Sequence, residues 1–275
     1  MTTLWTIDRG DDGVVVATYH NPPMNYFCAQ GAQELMGLIE QWKSPQVRAV
    51  VLTGAIAGKF ITHYSVEELE ALASDEAAMR AAGTSLTDGY HAMLLTLRDL
   101  PKPVIVAMNG DTMGGGFELS LACDIRIAAR GDHRIGLPEA KLGILPGGSG
   151  TQRLSRLIGA GRAIEFILRG RVVRPEDALA LGLVHEVVDD AAARARVIAA
   201  ELAQLPPVSL REIKRAVYQG IDHSLAEGLA IESQAFLATM LTEDARTAMR
   251  AYVAEPLDRR RSFLERPPAL PYRGA

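Results

Sequence analysis

The 275-residue chain has little cysteine, no long apolar run and no surplus of positive charge. Two cysteines, Cys28 and Cys123, cannot build a disulfide scaffold or a four-thiolate zinc site. They point to a reducing compartment, by default the cytoplasm. Six histidines occur without a His-x-x-x-His or Cys-His cluster, so the expectation is no metal site. The strongest apolar runs, residues 47–52 (one Arg included) and 104–108, fall far short of the ~20 residues a spanning helix needs. Residues 1–13 carry acidic groups where an export signal would be basic and then apolar. With 29 Lys plus Arg against 33 Asp plus Glu, the net charge of −4 offers no field for a nucleic-acid backbone. What is present is a 48% hydrophobic, 23% charged composition, that of a soluble globular protein with a sizeable core.

Hydrophobic patterning divides the chain. Residues 4–7 and 14–19, β-branched and separated by Arg-Gly-Asp-Asp-Gly, predict a hairpin that Asn21-Pro22-Pro23 ends. Apolar residues at helical spacing predict a helix over 28–42. Residues 48–53 and 104–108 read as buried parallel strands, 125–128 and 134–136 as further short ones. Helix is expected over 66–99, punctuated at Gly83 and Gly89, and again as one helix over 151–168. Residues 172–173 and 183–188 are expected to be extended, with a helix from Arg174-Pro175-Glu176-Asp177 to Gly182 between them. From Ala191 onward the pattern is helical, interrupted at Pro206-Pro207, Gly220 and Pro256. The chain thus reads as a mixed α/β core over 1–200 that carries the active site, then a helical region over 201–275.

Three short motifs fail on inspection. Between Gly54 and Gly58-Lys59 stand three residues instead of the four of a phosphate loop, and Phe60 occupies the place of the Mg²⁺-binding hydroxyl. Gly148-Ser149-Gly150 lacks the glycine spacing of a nucleophile elbow. Gly110-x-x-x-Gly114-x-Gly116 resembles a dinucleotide-binding turn but lies far from the N-terminus, and no Tyr is followed four residues later by Lys. What holds is Gly114-Gly115-Gly116-Phe117-Glu118: a turn without side chains opening a helix, its N–H groups free for a carbonyl oxygen and Glu118 beside them. Glu139, between Pro138 and a glycine-rich loop in apolar surroundings, suits a raised pKa. The plainer alternatives are a packing turn capped by Glu118 and a solvated Glu139.

Taken together, these segments resemble the enoyl-CoA hydratase/isomerase (crotonase) superfamily. So do Asn21-Pro22-Pro23-Met24-Asn25, Ala122-Cys123-Asp124-Ile125-Arg126, Arg174-Pro175-Glu176-Asp177-Ala178 and Gly182-Leu183-Val184, in order from about residue 4 to about 253. The resemblance implies an α/β fold, a spiral of ββα units with an all-helical C-terminal trimerisation region. It implies Glu118 and Glu139 as catalytic residues and the N–H groups of Tyr64 and Gly115 as an oxyanion hole. Substrate contacts would come from Met24, Asn25, Thr62, His63, Ser65, Val66, Gly114 and Gly147. The implied reaction adds water to a trans-2-enoyl-CoA, with no cofactor beyond the coenzyme A of the substrate. The implied state is a homotrimer or dimer of trimers, with no nucleic-acid or membrane partner. An isomerase or another enolate-forming acyl-CoA enzyme is the alternative, and a non-enzymatic or RNA-associated paralogue is the rival of another class.

Two segments depart from the family pattern. Thr62-His63-Tyr64-Ser65 replaces small residue, Gly, variable residue and Asp. Either the backbone path is kept and the acyl pocket reshaped, or His63 or Tyr64 takes a chemical part. Near the C-terminus, Glu255-Pro256-Leu257-Asp258 precedes Arg259-Arg260-Arg261, a basic run that is either a solvated face or a contact for coenzyme A phosphates in a neighbouring subunit.

Overall fold

The structure, a computed structural model, describes residues 3–266 and 272–274. Strands β1 (Trp5–Arg9) and β2 (Val14–Tyr19) form the expected antiparallel hairpin. Helix α1 (Ala29–Trp42) follows, burying Leu35, Ile39 and Trp42 along one stripe. Strands β3 (Ala49–Gly54), β4 (Gly58–Lys59), β5 (Val104–Met108), β6 (Gly110–Met113), β7 (Ile125–Ala129) and β8 (Ile135–Gly136) then arrive in consecutive pairs. The first of each pair joins a six-stranded sheet and the second joins a four-stranded one. The large sheet runs β1-β2-β3-β5-β7-β10 and the small one β4-β6-β8-β9, with β9 at Val172–Val173 and β10 at Glu186–Val188. All pairings beyond the hairpin are parallel except β8 with β9.

Each strand pair leads toward a helix: α2 (Val66–Ser74) after β4, α5 (Gly115–Ala122) after β6, and α6 (Gly150–Ile158) beyond β8. This repeated strand–strand–helix path is a spiral of ββα units. Every residue of β5 is buried because its sheet is covered on both faces, as a continuous apolar run requires. One face carries the main core with α1, α4 (Asp88–Arg98) and α5. The other is covered by α9 (Ala191–Ala203), whose Ala191, Ala195 and Ala199 let the helix lie close to Val51, Ile105 and Ile127.

Several boundaries differ from the sequence expectation. The 66–99 stretch divides at Asp75, which ends α2 and caps α3 (Glu76–Ala82) by accepting the Ala78 N–H at 2.9 Å. Gly83 opens a 3₁₀ turn, but Gly89 sits within the first turn of α4, where one glycine is tolerated. The single helix expected over 151–168 is two, α6 and α7 (Ala160–Leu168), because Gly159 at φ +82° turns the chain between them. After α8 (Pro175–Ala180), the strand expected over 183–188 shortens to β10. Gly220 does not interrupt α10 (Pro207–Ile221), whereas Pro206 caps it and Pro256 follows α12 (Glu243–Ala254). Between α10 and α12 lies α11 (Leu225–Met240), which packs along α10. A last short helix, α13 (Arg260–Glu265), closes the described chain.

Candidate active site

Parallel alignment of β4, β6 and β8 brings three loops together. Because the three strands run side by side in one direction, the segments leaving their C-terminal ends must be neighbours. These are residues 60–65, the glycine turn at 114–116 and residues 137–139. Backbone bonds fasten them: Met113 N–H donates to Thr62 O and Gly114 N–H to Gly136 O, each at 2.9 Å. Residues more than seventy positions apart in sequence thus surround one point.

Tyr64 lies beside Phe27 in a parallel bridge made by Phe27 N–H to His63 O (2.8 Å) and Ser65 N–H to Phe27 O (2.7 Å). That pattern uses the groups flanking Tyr64, so its own N–H points away from Phe27. Gly115 stands on that other side: a Cβ placed on it would lie 3.4 Å from Tyr64 N and 2.9 Å from Tyr64 Cβ. Gly115 opens α5, so its N–H has no intrahelical acceptor. Gly114, at φ +48°, makes the turn that aims it. The backbones of Tyr64 and Gly115, the two residues named from the sequence for their N–H groups, are therefore adjacent.

Glu118, in the first turn of α5, is 3% exposed. Its Oε1 accepts the Gly150 N–H at 2.7 Å. Glu139 begins a 3₁₀ turn at Glu139–Leu142 and is 8% exposed. Its Oε1 would be 3.0 Å from a Cβ on Gly114, and its buried Oε2 has no hydrogen-bond partner. Burial pushes the Glu118 carboxyl up to about 8, the charge of Glu139 pushing the same way; the Gly150 and Gly148 N–H groups and Arg153 pull it back. Burial likewise pushes Glu139 up to about 7, against its own backbone N–H. Burial is thus the main cause of both shifts, and each carboxyl is held well above the ordinary range of a carboxylate.

The remaining residues named from sequence fall into three places. Met24 and Asn25 support the first loop: Met24 O accepts the Thr62 hydroxyl at 2.5 Å, and buried Asn25, at φ +58°, donates to Phe60 O and accepts from Asn21 N–H. His63 stacks on Tyr26 at 4.1 Å, and its Cβ lies 3.7 Å from where a Gly114 side chain would start. Ser65 caps α2, accepting the Glu68 N–H at 3.1 Å, and Val66 begins that helix. Gly147 lines a cavity of about 880 Å³ between α4, α6 and α10 whose lining includes neither glutamate. Among the described residues outside glycine, only Asn25 and Ser149 have positive φ, so His63 occupies ordinary backbone and imposes no strain there. Two of the three C-terminal arginines have side chains engaged within the chain, Arg260 with the Val253 and Glu255 carbonyls and Arg261 with Glu265. No group of three or more potential metal ligands occurs among the described residues.

Sequence reasoning placed helix at α4 but missed the part that its Tyr90 and His91 take in the site. Its Tyr90 hydroxyl donates to Gly115 O at 2.8 Å, and His91 Nε2 is 2.7 Å from Gly147 O. Tyr90 packs edge-on against Tyr64 at 5.9 Å. The only signal in the sequence was a Tyr-His pair in a helix otherwise rich in apolar and small residues. Nothing in its spacing points across 56 positions to the glycine-rich loop.

A spiral of ββα units with two buried glutamates at the end of its small sheet points to the crotonase class of proteins, and comparison with known proteins agrees on fold and family. The profile described as enoyl-CoA hydratase/isomerase matches residues 9–260. The chain is 35% identical over 244 residues to the short-chain-enoyl-CoA hydratase of Clostridium acetobutylicum, covering 87% of this chain and 91% of that one. It superposes on the crystal structure of an enoyl-CoA hydratase from Bacillus anthracis with a TM-score of 0.85 at 33% identity, over 99% of this chain and 100% of that one. A second such structure, from Geobacillus kaustophilus, gives 0.87 at 27% identity, over 100% and 98%. The chain belongs to the enoyl-CoA hydratase/isomerase family.

Proposed function

We propose that the protein is an enoyl-CoA hydratase that adds water across the double bond of a trans-2-enoyl-CoA. The observation that carries this reading is the pair of raised, buried carboxyls, Glu118 and Glu139, next to the Tyr64 and Gly115 N–H groups. The thioester oxygen accepts from the two N–H groups, which stabilise the enolate that forms as water attacks Cβ. Water is held between the carboxyls. The ionised one takes its proton as the C–O bond forms, and the protonated one gives its proton to Cα. A pair that keeps one proton near pH 7 has both groups in the state the addition needs. By the family resemblance, Met24, Asn25, Thr62, His63, Ser65, Val66, Gly114 and Gly147 would supply the contacts to the substrate.

Retention of two glutamates argues against an isomerase that works with one. The net charge of −4 argues against an RNA-associated role. Loss of enoyl-thioester absorbance with crotonyl-CoA and longer enoyl-CoAs tests the proposal. Inert enoyl-CoAs together with turnover of isomerase substrates would sink it. The unstrained backbone at His63 supports a pocket residue over a chemical one. His63→Gly is expected to change kcat/KM for crotonyl-CoA by less than about tenfold, and a loss of activity beyond that range would give the imidazole a chemical part.

A homotrimer or dimer of trimers follows from the same reading, with residues 201–275 as the trimerisation region. Support comes from the helical C-terminal part, where Ile213, Leu225, Phe236, Leu241 and Val253 are at least 58% exposed, an apolar face a second copy would cover. Light scattering coupled to gel filtration checks the assembly. A cytoplasmic setting, in which Cys28 and Cys123 stay thiols, completes the proposal.

A further inference from the structure

We propose that His91 is a positioning residue that fixes the Gly147–Gly148 peptide plane against Glu118. The inference deepens the hydratase reading, and its kinetic test rests on that reading. Gly147 O and Gly148 N–H belong to one peptide group, which is planar, with its C=O and N–H pointing in opposite directions. His91 Nε2 lies 2.7 Å from that carbonyl. A carbonyl only accepts, so Nε2 carries the proton and donates it.

The Gly148 end of the same peptide lies close to the carboxylate. A Cβ on Gly148 would lie 2.6 Å from Glu118 Oε2, and the Gly148 N–H acts on Glu118 together with that of Gly150, which donates to Oε1 at 2.7 Å. Gly150 alone holds one oxygen; the 147–148 peptide decides whether the other also meets a donor.

The need for an anchor is local. Gly147 and Gly148 have no side chains to resist a flip of the peptide between them. Without the imidazole, that plane can turn its carbonyl toward Glu118, replacing a donor by an acceptor beside a carboxylate. Tyr90, the residue before His91, blocks movement of the Gly148 Cα, since a Cβ there would be 2.3 Å from Tyr90 Cε1. Tyr90 thus limits the position of the loop and His91 sets its orientation. The charged and titratable groups around the pair are Glu139 from the 3₁₀ turn, Arg153 from α6 and Tyr90 from α4 at Glu118, with Arg98, Asp124, Arg126, Arg153, Arg156, Tyr218 and Asp222 sharing the cavity that His91 lines. Asp88 precedes His91 by one turn on α4.

The experiment compares His91→Leu, His91→Phe and His91→Gln with the parent protein. The Glu118 carboxyl is followed by infrared difference spectroscopy across pH, its band assigned by loss in Glu118→Gln. Both apolar variants are expected to titrate about one pH unit higher, the size of a lost hydrogen bond to a charged group. At pH 7 their kcat for crotonyl-CoA hydration is expected to fall about tenfold, with KM changed by less than about twofold. His91→Gln, which keeps an N–H donor, restores both. An unmoved Glu118 titration in the apolar variants overturns the proposal, as does a His91→Gln displaced as far as His91→Leu. Lower thermal stability with an unmoved titration also overturns it, leaving a purely structural histidine. If the parent protein hydrates no enoyl-CoA, the hydratase reading fails while the carboxyl titration still decides the role of His91.

Discussion

Glu118→Gln is expected to lower kcat for hydration by roughly 10²–10⁴-fold while making the protein more stable at neutral pH. The amide keeps the oxygen that accepts the Gly150 N–H, loses the proton chemistry and places an NH2 where the second oxygen stood. The gain in stability follows from linkage. In the unfolded chain the carboxyl ionises above its ordinary value of 4.5; in the folded protein it stays protonated up to about 8. Between those values the folded state binds more protons, so stability is full below about 4.5 and declines as pH rises toward 8. An uncharged amide has no such decline. The difference between variant and parent should therefore be nil at low pH, grow across that window, and reach on the order of 3 kcal/mol near pH 7. Urea unfolding at a series of pH values measures it. A variant no more stable than its parent at pH 8 would show that Glu118 is not held neutral by burial, and the acid–base pairing proposed for the site would go with it.

Gly115→Ala is expected to reduce kcat/KM by about 10²–10³-fold, the loss seen when one oxyanion donor is displaced. The new methyl would sit 2.9 Å from Tyr64 Cβ, closer than two side chains tolerate. One of the two loops must yield, and either movement spreads the N–H pair. Glu118 and Glu139 keep their surroundings, so the pH dependence of the residual activity should be that of the parent. Hydration retained within a factor of about three would remove Gly115 from the hole. The contrast with Glu118→Gln separates the two halves of the site: one variant loses the proton carriers and keeps the cradle, the other loses the cradle and keeps the carriers.

The two variants also mark how far the sequence could be read. The glycine turn before Glu118 was legible because a strand, a run without side chains and a carboxylate in a first helical turn are all local features. Glu139 stood out through apolar neighbours on both sides. The hairpin, β5 and the capped start of α8 were equally local. Helix division was less legible: Gly159 breaks a helix because it sits at positive φ between two differently directed segments, whereas Gly89 and Gly220 lie inside helices without interrupting them. Composition alone does not distinguish these glycines; the backbone conformation each one adopts does, positive φ at Gly159 and helical backbone at the other two.

By itself the sequence determined the family, the mixed α/β start with helices at its end, and the two glutamates with their glycine turn, because each is written in local residue patterns, whereas the short second strands β4 and β6 were not legible in the pattern. Only the tertiary structure decided that β4, β6 and β8 run parallel and so bring residues 62–64, 114–118 and 139 to one place. It alone set Tyr90 and His91 against the loops that hold the site, and left Glu139 Oε2 buried without a partner. The reason is physical. A turn or a helix start is fixed by forces acting over a few residues, but a raised pKa or a shared hydrogen bond depends on which distant segments exclude water from the same point.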